Sequence, residues 1–287
     1  MIRGKRGVDV TGQQSWAEAG VEEVAWELRW LTEPGWLMIE AEAPTLCLMA
    51  TEVGGRCELR AKPDQPVDGG YFGFGALSFA APGASIAVHA AEMRQGRICC
   101  FAFHAAGADF LKSEDLVALE RLQSRYMFRD ERLRTCATLL DAGRVRGDSA
   151  AFILSLSKAL FAAVLDLATG TDKRSKVTAL TGASWDAISR YIRDNLDEAI
   201  TVETLADIAR MPPERFGSAF RDATGMSVRQ WEMDHRVRTA QRLLADNPNE
   251  SLVDVAALCG FADQSHFTRA FLKVVGLTPT TWLHRRT

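Results

Sequence analysis

The stretch SLVDVAALCGFADQSHFTRAFLKVVGLTP, Ser251–Pro279, decides how the carboxyl-terminal part of the chain folds. Ser251 is placed to cap a short helix over LVDVAALC, and Gly260 suits the residue that closes it. Asp263 caps a second helix, QSHFTRAFLKVV. In it Phe267 and Phe271, at i and i+4, share the buried face, and Gly276 is the stop. The same pattern occurs upstream in ITVETLADIARMPPERFGSAFRDATGMSVRQW, Ile200–Trp231. There Thr201 caps VETLADIAR with Leu205 and Ile208 inward, and Met211-Pro212 make the turn. Pro213 takes the first helical position, where a missing N–H costs nothing. Phe216 and Phe220 repeat the aromatic pair, and Gly225 ends the helix. Phe216 and Phe267 lie 51 residues apart, as do Phe220 and Phe271, so the helix–turn–helix unit is duplicated.

Between the two units, Ser227 and Gln230 form a capping box. The helix they open, VRQWEMDHRVRTAQRLLAD, runs about 18 residues, roughly 27 Å. Trp231, Val237, Ala240 and Leu244 face inward on it, while Arg229, Arg236 and Arg242 lie elsewhere. A helix of that length can hold two recognition helices one DNA turn, about 34 Å, apart.

Over about residues 183–287 these stretches resemble the AraC/XylS family of transcription regulators, Ser251–Pro279 carrying the signature and Ile200–Trp231 the weaker first unit. The resemblance implies a seven-helix domain that lays two recognition helices in successive major grooves of double-stranded promoter DNA. Carried over residue by residue, the DNA-facing positions are Glu214, Arg215, Ser218 and Arg221 in the first unit. In the second they are Gln264, Ser265, His266, Thr268, Arg269 and Lys273. Gln and Arg can bond bidentately to adenine and guanine edges, and Ser and Thr adapt to either. The first unit departs from this: Gly217 has no side chain, and Glu214 can only accept, from cytosine. Arg269 is therefore expected near a guanine, with the first unit relying on Arg221 and backbone contacts. The four phenylalanines read as core, and His266 reads equally well as an idle surface residue.

The charge balance runs against the usual electrostatic footprint of a DNA-binding domain. Residues 183–287 hold 13 Lys and Arg against 14 Asp and Glu, one net negative charge. The positive side chains, Arg215, Arg221, Arg229, Arg269 and Lys273, must then be segregated onto one face. The whole chain, 287 residues at net −3, is 47% hydrophobic and 25% charged, which excludes bulk disorder and fits two domains. The most apolar stretch, from Ala151, is interrupted by Lys158 and Asp166 and reads as no membrane span; no export signal precedes the fold, which points to the cytoplasm.

The amino-terminal part alternates with period two. Val24, Trp26, Leu28 and Trp30 alternate with Glu23, Ala25, Glu27 and Arg29, a strand with one buried face. Further strands are expected near 36–39, 46–50, 57–61, 77–79, 85–89 and 97–103. Turn signals at Pro34-Gly35, Gly54-Gly55, Gly69-Gly70 and Pro82-Gly83 separate them. Residues 1 to about 20 read as a mobile arm. This region resembles, less specifically, the cupin-like sensor domain attached to such regulators. Aromatics are dense here: Tyr71, Phe72, Phe74 and Phe79 accompany Trp26, Trp30, Trp36, Phe101 and Phe103. The last five are the candidates for lining a site for a small apolar or aromatic effector; an aromatic-filled core is the competing reading. His89 and His104 stand alone, so no metal or other cofactor is expected. The six cysteines form no C-x-x-C pair and read as buried thiols.

Three helices are expected next. Ser113 caps the first, the second stops at Gly143, and the third spans about Asp148–Leu167 with an apolar stripe suited to a core or a dimer seam. Residues 168–184 read as a linker. The fold class is thus α+β multidomain. An N-terminal cupin-like β-barrel, 1–112, precedes a helical dimerisation segment, 113–168, and a linker, 169–182. The all-α DNA-binding domain with two helix-turn-helix units, 183–287, completes it. The function expected is a non-enzymatic homodimeric regulator, an activator with RNA polymerase as partner. The alternatives are an effector-independent DNA-binding dimer and a metal-dependent cupin enzyme fused to a DNA-targeting module.

Overall fold

A computed structural model describes residues 1–32, 34–65, 67, 75–90, 93–168, 180–195 and 200–284. In chain order its first strands are β1 (Ile2–Arg6), β2 (Val8–Glu18), β3 (Val21–Trp30), β4 (Gly35–Glu40) and β5 (Thr45–Val53). β6 (Glu58–Arg60), β7 (Leu77–Ala80), β8 (Ser85–Ala90) and β9 (Gln95–Phe103) follow. Helix α1 (Ser113–Glu120), strand β10 (Arg125–Phe128) and helices α2 (Glu131–Arg146) and α3 (Ala150–Ala168) complete this half. The strands form two antiparallel sheets, in the orders β1-β4-β8-β6 and β10-β7-β5-β9-β3-β2.

Period-two geometry sorts the side chains. Trp26, Leu28 and Trp30 of β3 turn to the same core as Leu37 and Ile39 of β4, Cys47 and Met49 of β5, and Ile98 and Cys100 of β9. The opposite face of the larger sheet carries Ala25, Leu46, Phe101 and Phe103, which pack with Leu133 and Leu140 of α2 and Leu160, Phe161 and Val164 of α3. β3 thus buries one face in its first half, through Val21, Glu23 and Ala25, and the other in its second, through Trp26, Leu28 and Trp30, rather than one face throughout. Helices on the outer face explain why β5 and β9 read as continuous apolar runs.

Several expectations change. Residues 1–20 are no mobile arm: β2 pairs with β3 from Val8↔Trp30 to Glu18↔Val21. Its exposed edge leaves little hydrophobic pattern to read. β10, inside the segment 113–168 expected to be wholly helical, pairs with β7, because Tyr126 to Phe128 have sheet neighbours that no local pattern reveals. α1 is capped by Lys112, whose amide donates to Asp115, rather than by Ser113. α2 runs past Gly143 to Arg146 and closes on Gly147 at φ 75°. Gly143 is instead where α3 comes near: a Cβ there would lie 3.0 Å from Ile153 Cδ1. Of the linker 169–182, residues 169–179 lie outside the described residues, as do Gly69-Gly70, Tyr71, Phe72 and Phe74. Its last three residues are no linker: Leu180 is 1% exposed and Thr181 caps the next helix. By length and composition α3 could cross a membrane, contrary to expectation, but Leu160–Leu165 pack it into the core.

The carboxyl-terminal half comprises α4 (Gly182–Asp194), α5 (Val202–Ala209), α6 (Pro213–Thr224) and α7 (Val228–Asp246), then α8 (Leu252–Leu258), α9 (Gln264–Val275) and α10 (Pro279–His284). The side chains of Thr201, Ser227, Ser251 and Asp263 accept from the first-turn amides, and Gly225 and Gly276 close α6 and α9 at φ 73° and 79°. Each unit is sealed by aromatic packing. Trp231 meets Trp185 at 5.5 Å and Phe220 at 6.2 Å, and Phe271 meets Phe267 at 5.6 Å and Trp282 at 5.8 Å.

The two turns differ by one residue. Arg210 at φ 54° precedes α6 by three positions, whereas Gly260 at φ 71° precedes α9 by four. The left-handed conformation suits Gly260 and strains Arg210. Arg210→Gly is expected to raise the stability by about 1 kcal/mol. A denaturant melt showing no gain would mean the turn is not strained.

Candidate nucleic-acid interface

Phe216 and Phe220 fix one side of α6 into the core, so Glu214, Arg215, Ser218 and Arg221 are left exposed on the other. Phe267 and Phe271 do the same for α9, leaving Gln264, Ser265, Arg269 and Lys273 exposed and His266 and Thr268 half-buried. A groove of about 1020 Å³ opens where α6, α7 and α9 meet. It brings together Arg221, His266, Arg269 and Lys273. Glu214, Arg215, Ser218, Gln264, Ser265 and Thr268 are not in its lining. Outside it, Ser218 Oγ donates to the Arg215 carbonyl at 2.9 Å; within it, the His266 ring sits edge-on to Phe261 at 5.4 Å.

Sequence reasoning placed Arg229 on the basic face but not among the base contacts, and left out Gln230 and Arg238; all three line the groove. The signal for the first two was present. Ser227 caps α7, which sets positions 229 and 230 on its first exposed turn, beside the exit of α6 at Gly225. Arg238 was not legible, since its position depends on a distant loop.

The structure shows how a domain of net charge −1 acquires a basic face. Three of its acids are paired with arginines of the two-sheet sandwich: Asp234 with Arg56 at 2.9 Å, Asp246 with Arg94 at 2.7 Å, and Asp186 with Arg60 at 3.3 Å. Asp234 also meets Arg238 at 2.8 Å. Burial alone would raise the Asp234 carboxyl, but the Arg56 and Arg238 guanidiniums outweigh it and hold it at about 2. Negative charge is thereby neutralised on the side facing the sandwich, while Arg221, Arg229, Arg269 and Lys273 remain around the groove.

The aromatic residues proposed for an effector do not line one space. Trp26 and Trp30 face the core between the sheets. Trp36 alternates with the inward Leu37 and is half-buried, and Phe101 and Phe103 lie on the far face under α3, with Phe103 5.1 Å from Phe161. A one-residue step in a strand reverses its face, and the expectation had merged the two. His89 is paired across the sheet with Trp36 and Glu58, and His104 Nε2 lies 3.2 Å from Glu22. One group among the described residues has metal-ligand spacing: Glu23, Cys99 and Asp141, with donor atoms within 4.8 Å of one another. Arg97 engages Asp141 at 2.7 Å and Arg144 approaches Glu23 at 3.3 Å, so a guanidinium already stands beside each acid.

Comparison with known proteins places this geometry. Residues 205–285 match a family model described as a helix-turn-helix domain. A probable transcriptional regulator, LumQ, of Photobacterium leiognathi is 33% identical over 95 residues, which is 33% of this chain and 38% of that protein. The uncharacterized HTH-type transcriptional regulator YobQ of Bacillus subtilis is 37% identical over 97 residues, covering 34% and 39%. The arabinose operon regulatory protein of Escherichia coli is 33% identical over 92 residues, covering 32% and 31%. The chain thus spans about two fifths of the length of the first two relatives. Residues 205–285 are thus a helix-turn-helix domain by sequence as well as by structure.

Proposed function

We propose that the chain is a cytoplasmic, sequence-specific transcription regulator, an activator rather than an enzyme, that binds double-stranded promoter DNA through α6 and α9. The carrying observation is that two copies of one structural unit present exposed polar faces on either side of a single basic groove. Glu214, Arg215, Ser218 and Arg221 meet one major groove, and Gln264, Ser265, His266, Thr268, Arg269 and Lys273 the next. Arg269 being the base reader, Arg221, Arg229 and Lys273 offer about three phosphate contacts, so log K should fall with log salt at a slope near −2.7. A slope shallower than about −2 would exclude the groove from the interface. Arg269→Ala should weaken binding to a selected duplex by about 1–3 kcal/mol and relax one base position. Selection from a random duplex pool followed by footprinting tests the reading: two protected patches about one helical turn apart are expected, and no enrichment would end it.

The remaining organisation follows the same reading: a cupin-like sensor in 1–112, a dimer segment in 113–168, and the DNA-binding domain after the linker. Apolar side chains exposed on α2 and α3, Leu139, Val145 and Phe152, favour a homodimer seam there. Trp30, 3% exposed with an indole N–H that has no acceptor among the described residues, favours a small ligand between the sheets. RNA polymerase is the further partner of an activator.

A further inference from the structure

Two loops of the sandwich hold α7, the helix that joins the DNA-binding units. At the end of β5 and in the β5–β6 connection, Arg56 pairs with Asp234, and the carbonyls of Glu52 and Gly55 accept from Arg238 at 3.2 and 3.4 Å. In the β8–β9 connection, Arg94 forms two bonds to Asp246, at 2.8 and 2.7 Å. The grips are 12 residues apart, about 18 Å along the helix. Asp234 and Arg238 also line the groove, so one end of the attachment is part of the DNA-facing surface.

The sequence neighbours of the two gripping arginines matter as much. Arg56 adjoins Cys57 and Arg94 adjoins Met93. Both neighbours are buried in the core between the sheets, at 8% and 0% exposure, and Cys57 Sγ touches Met93 Sδ at 3.5 Å. Gly96 lies under the same cluster, since a Cβ there would be 2.6 Å from Met93 Cε and 2.7 Å from Met49 Cε. Close-packed interiors do not deform continuously, so a change of volume at this sulfur contact must shift the adjoining loops.

We propose that the Cys57–Met93 contact and the Arg56 and Arg94 grips form a latch through which the packing state of the sandwich core sets the placement of α7, and with it where the two DNA-reading units are presented. This rests on the DNA-binding reading for its consequence but not for its mechanics. A ligand that wedges apart Cys57 and Met93 moves both grips at once, because each is one peptide bond from the wedge. Loss of one grip loosens that end of α7, and loss of both frees α7 from the sandwich and leaves the reading units intact.

Hydrogen exchange of the α7 amides in the full chain tests the latch without DNA. Arg94→Glu is expected to speed exchange near Asp246 at least fivefold, and adding Asp246→Arg should restore it to within twofold. Met93→Ala should speed exchange along α7 in the wild-type background and add less than twofold to Arg56→Ala/Arg94→Ala. If Met93→Ala does not fold, Cys57→Ala takes its place. Equal effects in both backgrounds, or no rescue by the reversed pair, would overturn the latch. With a duplex chosen by selection, the same non-additivity should appear in Kd. If selection enriches no duplex, the DNA reading fails while the exchange result still decides the latch.

Discussion

Phe267→Ala is expected to cost about 3–5 kcal/mol of stability and to abolish duplex binding, although Phe267 touches no DNA. Its side chain is fully buried, 5.3 Å from Phe261 and 5.6 Å from Phe271, and the pair fastens α9 to the rest of the second unit. Removing the ring leaves a cavity beneath the helix that carries Gln264, Arg269 and Lys273. The outward side chains then lose the fixed frame that aims them. Chemical denaturation measures the first effect and gel-shift titration the second. A stability loss below about 1 kcal/mol would show that the helix is seated some other way.

The second large effect concerns pH and lies on the far side of the molecule. Glu23 is fully buried beneath α2, with Arg144 3.3 Å away and Asp141 beside it. Burial is the dominant influence and pushes its carboxyl up to about 8 from an ordinary 4.5; Asp141 adds to the rise, while Arg144 opposes it. In the unfolded chain the group ionises near 4.5, whereas in the folded protein it keeps its proton until about 8. The folded state therefore binds more protons across that window, and stability falls as pH rises, by about 1.4 kcal/mol per pH unit where the difference is one full proton. Denaturant melts from pH 5 to pH 8 should show this decline, and Glu23→Gln should flatten it. An unchanged slope in the variant would remove Glu23 as its source. Asp234 has the opposite sign: held at about 2, it contributes stability that is lost as pH falls through that value.

The helical half was largely legible because its signals are local. Caps at Thr201, Ser227, Ser251 and Asp263, stops at Gly225 and Gly276, and aromatic pairs four residues apart each lie within one turn of what they control. The sandwich was less so. Its strands between 24 and 103 announce themselves by period two or, like β5 and β9, by apolar runs between turn signals, but β1 and β2 sit at sheet edges where alternation is weak. β10 depends on pairing with a strand 45 or more residues earlier. The interface was half legible. The exposed face of each recognition helix follows from its buried face, whereas Arg238 enters through a carbonyl of Glu52, 186 residues away. The effector set failed for a simpler reason: aromatic density along a chain says nothing about which side of a sheet each ring occupies.

The turn before α6 is one residue shorter than the turn before α9, and Gly217 leaves the middle of α6 bare. The duplicated units are therefore not interchangeable copies, and rotating one onto the other would not reproduce its contacts. A duplex bound as proposed would acquire a head and a tail. Two such chains can then face inward, face outward or follow one another along a promoter, and these arrangements call for different orders of half-sites.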